Sequence, residues 1–137
     1  MHHRILHVED NPDDVVLVNL AFGKAGASAR LEVASDGEQA IAALEKNPEA
    51  PPACVLLDNK LPSISGFEVL TWIRSQPRFR RVPVVMLTSS LLPSDINRAY
   101  DLGANSYLVK PSDLDSLITL AKTIELYWVQ TNTRPVP

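Results

Sequence analysis

The sequence predicts an α/β fold in which five parallel strands form one doubly wound sheet with helices on both faces. Five short apolar runs recur at intervals of roughly 25 residues. The stretches between them carry apolar residues at helical spacing, and the prolines fall in proposed turns or tails or at the start of a strand. Strands that alternate with helices in this way build βαβ units, which cover a parallel sheet on both sides.

The five apolar runs have the length of strands. The first, third and fourth runs are nearly continuous and rich in β-branched residues, which is typical of strands covered on both faces. The second run alternates between apolar and polar residues, so we expect it nearer an edge of the sheet. The predicted strands are residues 5–8, 31–34, 53–57, 83–87 and 107–109.

The helices are predicted from apolar side chains that recur every three or four residues. These stripes are Val15, Val18, Phe22 and Ala25; Ala40, Ile41 and Leu44; Phe67, Leu70 and Ile73; Ile96, Ala99 and Tyr100; and Leu114, Leu117, Ile118, Ala121, Ile124 and Trp128. The predicted N-caps are Asp13 or Asp14, Asp36, Ser94, and Ser112 or Asp113. Gly26 and Gly103 are expected to end helices.

Length and composition predict one domain over residues 1–137, with a short tail at 131–137, and exclude several classes of protein. The chain has 137 residues, of which 45% are apolar, but no apolar run is long enough to span a membrane. A single cysteine excludes an internal disulfide and a cysteine-cluster zinc site. The net charge of −3 gives no basic excess for nucleic acid. Because no secretion signal begins the chain, we expect a cytoplasmic protein.

Reactive side chains follow four of the five predicted strands. The carboxyl ends of parallel strands meet at one edge of the sheet, so these groups are expected to lie close together. They are Glu9 and Asp10, Asp58, Thr88 and Ser89, and Lys110 before Pro111. Clustered carboxylates repel one another, and a hard cation such as Mg²⁺ relieves that repulsion. A carboxylate, a cation, an ammonium and a hydroxyl together form a receptor for a phosphoryl group.

Each of these residues also has a simpler structural explanation. An aspartate after a strand is usually a helix cap or a turn residue, Thr88 and Ser89 can cap the next helix, and Lys110 can be a solvated surface lysine. Structural needs alone do not explain all four groups at the correct ends of the correct strands. The combination therefore favours a phosphoryl site.

The sequence resembles the receiver domains of response regulators in two-component signalling. The matching segments are 8–11, 55–58, 61–62, Gly66, 83–89, 103–104 and 107–111. The resemblance extends over essentially the whole chain and implies the flavodoxin-like strand order 2-1-3-4-5. It also implies a histidine kinase as partner, and a phosphoacceptor that assists its own phosphotransfer rather than a turnover enzyme.

The resemblance implies roles for individual residues. Asp58 would be the phosphoacceptor and would attack a phosphohistidine of the kinase. Mg²⁺ (or Mn²⁺) would be held by Asp10, Asp58 and the Lys60 backbone carbonyl, with Glu9 acting through water. Thr88, Ser89, Lys110 and Tyr107 would bind the phosphoryl group or switch with it, and the Lys110–Pro111 peptide would be cis.

A narrower resemblance concerns stand-alone receivers that serve bacterial phytochrome kinases. The segments that carry it are 11–14, 77–83 and the aromatic end at 124–128. Only residues 132–137 follow the last predicted helix, so we expect no output domain. The signal would then pass through the fourth helix, fifth strand and fifth helix to a downstream protein that the sequence does not identify.

The last helix predicts a homodimer. Leu120 and Tyr127 lie about 100° from the centre of its apolar stripe, and Trp128 stands at its aromatic end. Scattered surface hydrophobicity is the alternative explanation. A two-fold interface at this helix and the fifth strand would bury the same apolar patch twice.

Three competing functions are weighed against the receiver. A non-phosphorylated pseudo-receiver scaffold is disfavoured because every residue of the phosphoacceptor site is present. A phosphatase of the haloacid dehalogenase type would resemble Asp-x-Asp at its nucleophile, whereas Lys60 stands two positions after Asp58. A dinucleotide or flavin binder would carry a glycine-rich loop after the first strand, and this chain has none.

Overall fold

The computed structural model describes residues 3–136; residues 1, 2 and 137 of the predicted domain lie outside the described part. The strands are β1 (Arg4–Val8), β2 (Arg30–Ala34), β3 (Cys54–Leu57), β4 (Val84–Thr88) and β5 (Ser106–Val109). The helices are α1 (Pro12–Lys24), α2 (Gly37–Lys46), α3 (Gly66–Ser75), α4 (Pro93–Asp101) and α5 (Leu114–Ile124), and a π-helix, Glu125–Thr131, follows α5. Within the described residues, no helix has both the length and the apolar character needed to cross a bilayer.

The five strands form one parallel sheet in the order β2-β1-β3-β4-β5, which confirms the predicted fold class and strand order. Val8 lies opposite both Ala34 and Leu57, and Thr88 lies opposite Val109. The strands therefore end nearly in register, and the residues that follow them gather at one edge. As predicted, the alternating second strand is at the edge of the sheet, where the Val33 side chain is exposed.

The sheet separates two apolar cores. Helices α1 and α5 cover one face, and α2, α3 and α4 cover the other. The three central strands face helices on both sides, which explains why almost every residue of β1, β3 and β4 is buried. The predicted helical stripes are largely the buried faces; only Tyr100, in α4, is exposed. Because the central strands are held in place by burial on both faces, the residues that directly follow them are also held in place at the edge of the sheet.

Two predicted N-caps and both predicted helix ends are confirmed. The side chains of Asp36 and Asp113 each accept a hydrogen bond from the backbone amide three residues further on. Gly26 and Gly103 follow α1 and α4 with φ of 71° and 104°. This left-handed backbone conformation favours glycine, which explains why the helices end there.

The other two predicted N-caps are wrong. Asp13 or Asp14 was expected to begin α1 and Ser94 to begin α4, but each helix begins earlier, at a proline. Proline suits the first helical position because its backbone has no hydrogen to donate and its φ is already helical. The caps are consequently the residues before the prolines, which are Asn11 in α1 and Leu92 in α4. Leu92 has no side-chain acceptor, so α4 begins without a side-chain cap.

The chain leaves regular α-helical geometry after Ile124. Residues Glu125–Thr131 form a π-helix, in which the Asn132 amide donates to the Tyr127 carbonyl at its end. The predicted stripe assumed about 100° per residue throughout, and this geometry does not hold in a π-helix. Val129 is consequently buried in the core beside α1 and α5, while Trp128 is only partly buried against it.

The first residue of the π-helix, Glu125, is buried and holds it to the α1–β2 loop. Its carboxylate accepts hydrogen bonds from Ser28 Oγ at 2.8 Å, from the Ala29 amide at 3.1 Å and from Gln130 Nε2 at 2.8 Å. Burial raises the pKa of Glu125, but the hydrogen bonds from Gln130, Ser28 and Ala29 outweigh it, and the pKa lies below its usual value.

Replacing Glu125 with alanine should lower the free energy of unfolding by about 1.5–3 kcal/mol, because three donors lose a charged acceptor. Since folding lowers the pKa of Glu125, the stability that its carboxylate contributes is fully present above the pKa that Glu125 has in the unfolded chain. It is lost as pH falls through the folded value. Urea unfolding of both proteins from pH 7 to pH 3 tests this, with Glu45→Ala on the exposed face of α2 as control. An equal loss at every pH would contradict the ionic origin.

Candidate functional site

Three carboxylates meet where β1 and β3 end. Oxygen atoms of Glu9, Asp10 and Asp58 lie within 4.8 Å of one another. Glu9 and Asp58 are buried, whereas Asp10 is exposed. The arrangement follows from the parallel register of the two strands, and it brings together the acidic residues that the sequence predicted.

Lys110, which follows β5, is the cation of this site. Its Nζ contacts Glu9 Oε1, and it lies 3.0 Å from Asp14 Oδ2 and 3.2 Å from Asp58 Oδ2. Burial lowers the pKa of Lys110, but its hydrogen bonds to Glu9 and Asp14 and the charge of Asp58 outweigh burial and raise it. Sequence reasoning considered Asp14 only as a helix cap; its place in the first turn of α1 turns its carboxylate toward the site.

The site carries more negative than positive charge. Four carboxylates face one ammonium, and the pKa of Glu9 rises to about 7, first because of burial and also because of Asp58, although Lys110 and the Asn11 amide oppose the rise. A divalent cation would relieve this repulsion, and carboxylate oxygens are the ligands that Mg²⁺ prefers. The residues present therefore fit a hard divalent metal.

The β3–α3 loop fixes the backbone of Asp58. The Lys60 amide donates to Asp58 Oδ1 at 3.3 Å, and the Gly66 amide donates to the Asn59 carbonyl at 3.1 Å. A Cβ atom on Gly66 would lie 1.9 Å from the Asp58 carbonyl oxygen, so only glycine permits this close approach. The Lys60 side chain is exposed, and the role of its backbone carbonyl as a metal ligand stays a prediction.

A hydrogen-bonded chain leads away from the site on the α4 side. The buried Thr88 hydroxyl donates to Asn59 Oδ1 at 2.6 Å, and Asn59 Nδ2 donates to Asp95 Oδ2 at 3.3 Å. Ser90 Oγ also donates to Asp95 Oδ2, at 2.6 Å. Sequence reasoning missed Asn59, Ser90 and Asp95. For Asn59 a signal was available, because it follows Asp58 directly after a buried strand; Asp95 looked like an ordinary first-turn acid.

Tyr107 joins this chain from β5. Its hydroxyl donates to the Ser90 carbonyl at 2.9 Å, and burial is the largest reason why its pKa lies above the usual value. The Ser89 side chain is exposed next to Thr88. Tyr107 therefore contacts the loop after β4 through Ser90 and not the carboxylates directly.

The predicted cis peptide between Lys110 and Pro111 is wrong, since no cis bond occurs in residues 3–136. The trans isomer of an X–Pro bond is favoured by about 0.5–1 kcal/mol. No cis bond is needed to aim Lys110 inward, because its side chain already reaches Glu9, Asp14 and Asp58 from a trans backbone.

The residues predicted for a dimer interface differ in exposure. Tyr127 is 50% exposed and stacks edge-on against Trp128, with the ring centroids 4.8 Å apart. Leu120, by contrast, is partly buried and packs against the core under α1 and α5. Leu126, which is not among the predicted interface residues, is 61% exposed, so Leu126 and Tyr127 together form an exposed apolar pair at this end.

Comparison with known proteins identifies the family. Residues 5–122 match the response regulator receiver domain. The chain belongs to this family. The recognised region contains every predicted residue of the phosphoryl site, whereas the π-helix lies beyond it.

Individual relatives match over nearly their full length. The chain is 40% identical to "Probable methanogenesis regulatory protein FilR2" of Methanothrix harundinacea, over 97% of this chain and 88% of the relative. The Mn²⁺-bound form of response regulator Rcp1, a protein known from Synechocystis, is 36% identical, with a TM-score of 0.85 and coverage of 98% and 99%. The phosphorylated cyanobacterial phytochrome response regulator RcpA is also 36% identical, with a TM-score of 0.89 and the same coverage.

These similarities bear on two predictions. The predicted resemblance to receivers associated with phytochromes is confirmed, since the chain is similar to the phytochrome response regulator RcpA. A Mg²⁺ or Mn²⁺ cofactor is confirmed at the level of the family, because a relative was solved with Mn²⁺ and this chain carries a cluster of three carboxylates.

Gly66→Ala should destabilise the protein by about 1–3 kcal/mol, because the added methyl group forces the backbone of Asp58 to move. Its affinity for Mg²⁺ should fall as well, since Asp58 belongs to the acidic cluster. Urea unfolding and isothermal titration with Mg²⁺ measure the two effects.

Gly23→Ala in α1 is the matched control. A Cβ at Gly23 meets no atom within 4 Å, so this variant should be as stable as the wild type or more stable by about 0.5–1 kcal/mol. A Gly66→Ala protein as stable as Gly23→Ala would contradict the close approach to Asp58.

Proposed function

We propose that the protein is a phosphoacceptor response regulator, in which Asp58 receives a phosphoryl group from the phosphohistidine of a sensor histidine kinase. The observation that carries this proposal is the meeting of a buried Asp58 carboxylate with the Lys110 ammonium and two further carboxylates at one edge of the sheet. The buried Thr88, which carries a hydroxyl, is the last residue of the adjacent strand β4. A receptor for a phosphoryl group requires these charges and donors.

The reaction is a displacement at phosphorus. An Asp58 carboxylate oxygen attacks, a P–O bond forms, the P–N bond to the kinase imidazole breaks, and its electron pair stays on the imidazole nitrogen. Lys110 Nζ, 3.2 Å from Asp58 Oδ2, is placed to bind an oxygen of the transferred group. Glu9, Asp10, Asp58 and the Lys60 carbonyl are the groups that would hold a divalent metal, which would supply positive charge to the phosphoryl oxygens.

Because Asp58 is both the nucleophile and the group that keeps the phosphoryl group, the protein accepts it without catalytic turnover. Its product is an acyl phosphate on the protein itself, so the protein is a signalling partner of its kinase and of a downstream protein, not an enzyme with a separate substrate. Thr88, Ser89 and Lys110 would bind the new group, and Tyr107 would pass the change to α4, β5 and α5. The added phosphoryl group brings about −1.5 to −2 charges to this edge.

A phytochrome-type kinase is the partner that the relatives favour. RcpA is described as a phytochrome response regulator, and the chain is similar to it over 98% of its length. Such a kinase takes its phosphoryl group from ATP, so we place the relay in the cytoplasm. A pseudo-receiver scaffold, the alternative function, would share this fold but would accept no phosphoryl group.

Treatment with acetyl phosphate and Mg²⁺ should add one phosphoryl group to the wild-type protein and none to Asp58→Asn, because the amide is a poor nucleophile. Intact-mass spectrometry measures the modification. Asp14→Asn is the matched control, since it also removes one carboxylate near Lys110 but leaves the nucleophile in place. Stoichiometric labelling of Asp58→Asn would exclude Asp58 as the acceptor, and an unlabelled wild type would favour the scaffold.

Asp10→Asn tests the metal part of the same reaction. It leaves the Asp58 nucleophile intact, so higher Mg²⁺ concentrations should restore its labelling, whereas no concentration should restore Asp58→Asn. Labelling of Asp10→Asn with the same Mg²⁺ dependence as the wild type would contradict its role as a ligand.

We also propose that two copies associate through the C-terminal end of α5, the π-helix and β5. Leu126 and Tyr127 are exposed there, and Leu108 of β5 lines a cavity of about 320 Å³ together with Tyr127 and Trp128 of the π-helix. A two-fold axis near Tyr127 would bury this apolar surface on both copies.

The double variant Leu126→Lys/Tyr127→Asp should sediment as a monomer with an unchanged circular dichroism spectrum, whereas the wild type should sediment as a dimer at tens of micromolar protein. Each apolar side chain contributes roughly 1.5–3 kcal/mol when fully buried, so removing both should shift the equilibrium strongly. Val16→Lys on α1, another exposed apolar position, is the control and should leave the dimer intact. A wild type that is already monomeric would refute the interface.

A further inference from the structure

The amide of Asn59 is buried next to the phosphoacceptor, and the phosphotransfer reaction does not use it. Asn59 is 3% exposed and Thr88 is 1% exposed, and the Thr88 hydroxyl donates to Asn59 Oδ1 at 2.6 Å. A threonine hydroxyl has one proton to donate. In the structure, Thr88 donates that proton to Asn59 Oδ1.

A phosphoryl group on Asp58 would compete for the same proton. Its oxygens are strong, negatively charged acceptors, and a hydrogen bond to a charged acceptor is stronger than one to a neutral amide. Thr88 cannot satisfy both acceptors at once, so binding the phosphoryl group requires it to leave Asn59. The amide therefore favours the unphosphorylated arrangement.

Asn59 also connects Thr88 to α4. Its Nδ2 donates to Asp95 Oδ2 at 3.3 Å, and Asp95 lies in the first turn of α4. This turn has no side-chain N-cap, and Ala99 is the single buried residue of α4. With so little apolar burial and no cap, the position of the α4 N-terminus depends strongly on the contacts that Asp95 makes with Asn59 and Ser90.

We propose that Asn59 is a positioning residue that holds Thr88 in the resting state and, when Thr88 leaves, loosens the first turn of α4 through Asp95. The inference rests on the proposed function, because a phosphoryl group on Asp58 is the competitor. It adds a route to α4 that starts at Asn59 and meets the contact of Tyr107 with Ser90 at Asp95, to which Ser90 Oγ also donates.

Beryllofluoride, which mimics a phosphoryl group on a carboxylate, provides the binding test in the presence of Mg²⁺. Asn59→Leu, which has a similar shape and no polar atom, should bind it about two- to tenfold more tightly than the wild type, because one resting-state hydrogen bond is lost. In a Thr88→Val background, the same change should have no effect. An unchanged affinity in Asn59→Leu, or an equal gain with and without the Thr88 hydroxyl, would overturn the proposal.

Amide hydrogen exchange tests the link to α4 without any phosphoryl mimic. Exchange in the first turn of α4 should be faster in Asn59→Leu and in Asp95→Ala than in the wild type. Asp95→Ala keeps the bond between Thr88 and Asn59, so its gain in beryllofluoride affinity should be smaller than that of Asn59→Leu. Unchanged exchange in Asn59→Leu would refute the route through Asp95.

Two further measurements keep the test decisive. If circular dichroism shows that Asn59→Leu does not fold, Asn59→Ala replaces it. Independently of any variant, beryllofluoride bound to the wild type should speed amide exchange in the first turn of α4. If the wild type neither binds beryllofluoride nor accepts a phosphoryl group, the proposed function fails. If the wild type binds beryllofluoride and amide exchange in the first turn of α4 is the same with and without it, the positioning role of Asn59 is refuted but the proposed function is not.

Discussion

Electrostatic repulsion between carboxylates is the constraint on which the site depends. Glu9, Asp10 and Asp58 are brought within 4.8 Å by the register of β1 and β3, and burial makes the charge on Glu9 costly enough to raise its pKa to about 7. Lys110 offsets part of this cost through Glu9, Asp14 and Asp58. The sheet supplies the energy that holds the acids together, since its central strands are buried on both faces. A site with four carboxylates and so little positive charge fits a divalent metal ion.

The two sides of the site differ in kind. On the α1 side the contacts are between full charges, which act over several ångströms and tolerate small movements. On the α4 side they are hydrogen bonds between neutral groups that end at the Asp95 carboxylate, and these depend on close geometry. The charged contacts favour binding of a charged group. The hydrogen bonds can respond to its binding, because the Thr88 hydroxyl proton can be donated either to Asn59 or to the bound group, but not to both. Binding and signalling thus rely on different physical interactions within one edge of the sheet.

The fold and the charged part of the site were predictable because they follow from periodicity and from strand ends. Asp58 and Lys110 meet because parallel strands end together, and this needs no knowledge of side-chain conformation. The link from Asn59 to α4 was not predictable in this way, since the contact between Asn59 and Asp95 depends on how α4 begins. Its start at Pro93 contradicted the expected cap. The burial of Val129 was not predictable for a similar reason: the change to π-helical hydrogen bonding after Ile124 leaves no clear mark in residue types.

The π-helix has a consequence for how this end of the molecule can vary. In a continuous α-helix, inserting one residue rotates every later side chain by about 100° and removes the following apolar residues from the core. A wider turn absorbs such a change locally, so α5 can keep its packing while Glu125 and Val129 stay anchored. The side chains between the two anchors, among them Tyr127, are then free to differ in number and character. A change confined to this helical turn can therefore alter the exposed surface around Leu126 and Tyr127 without disturbing the core.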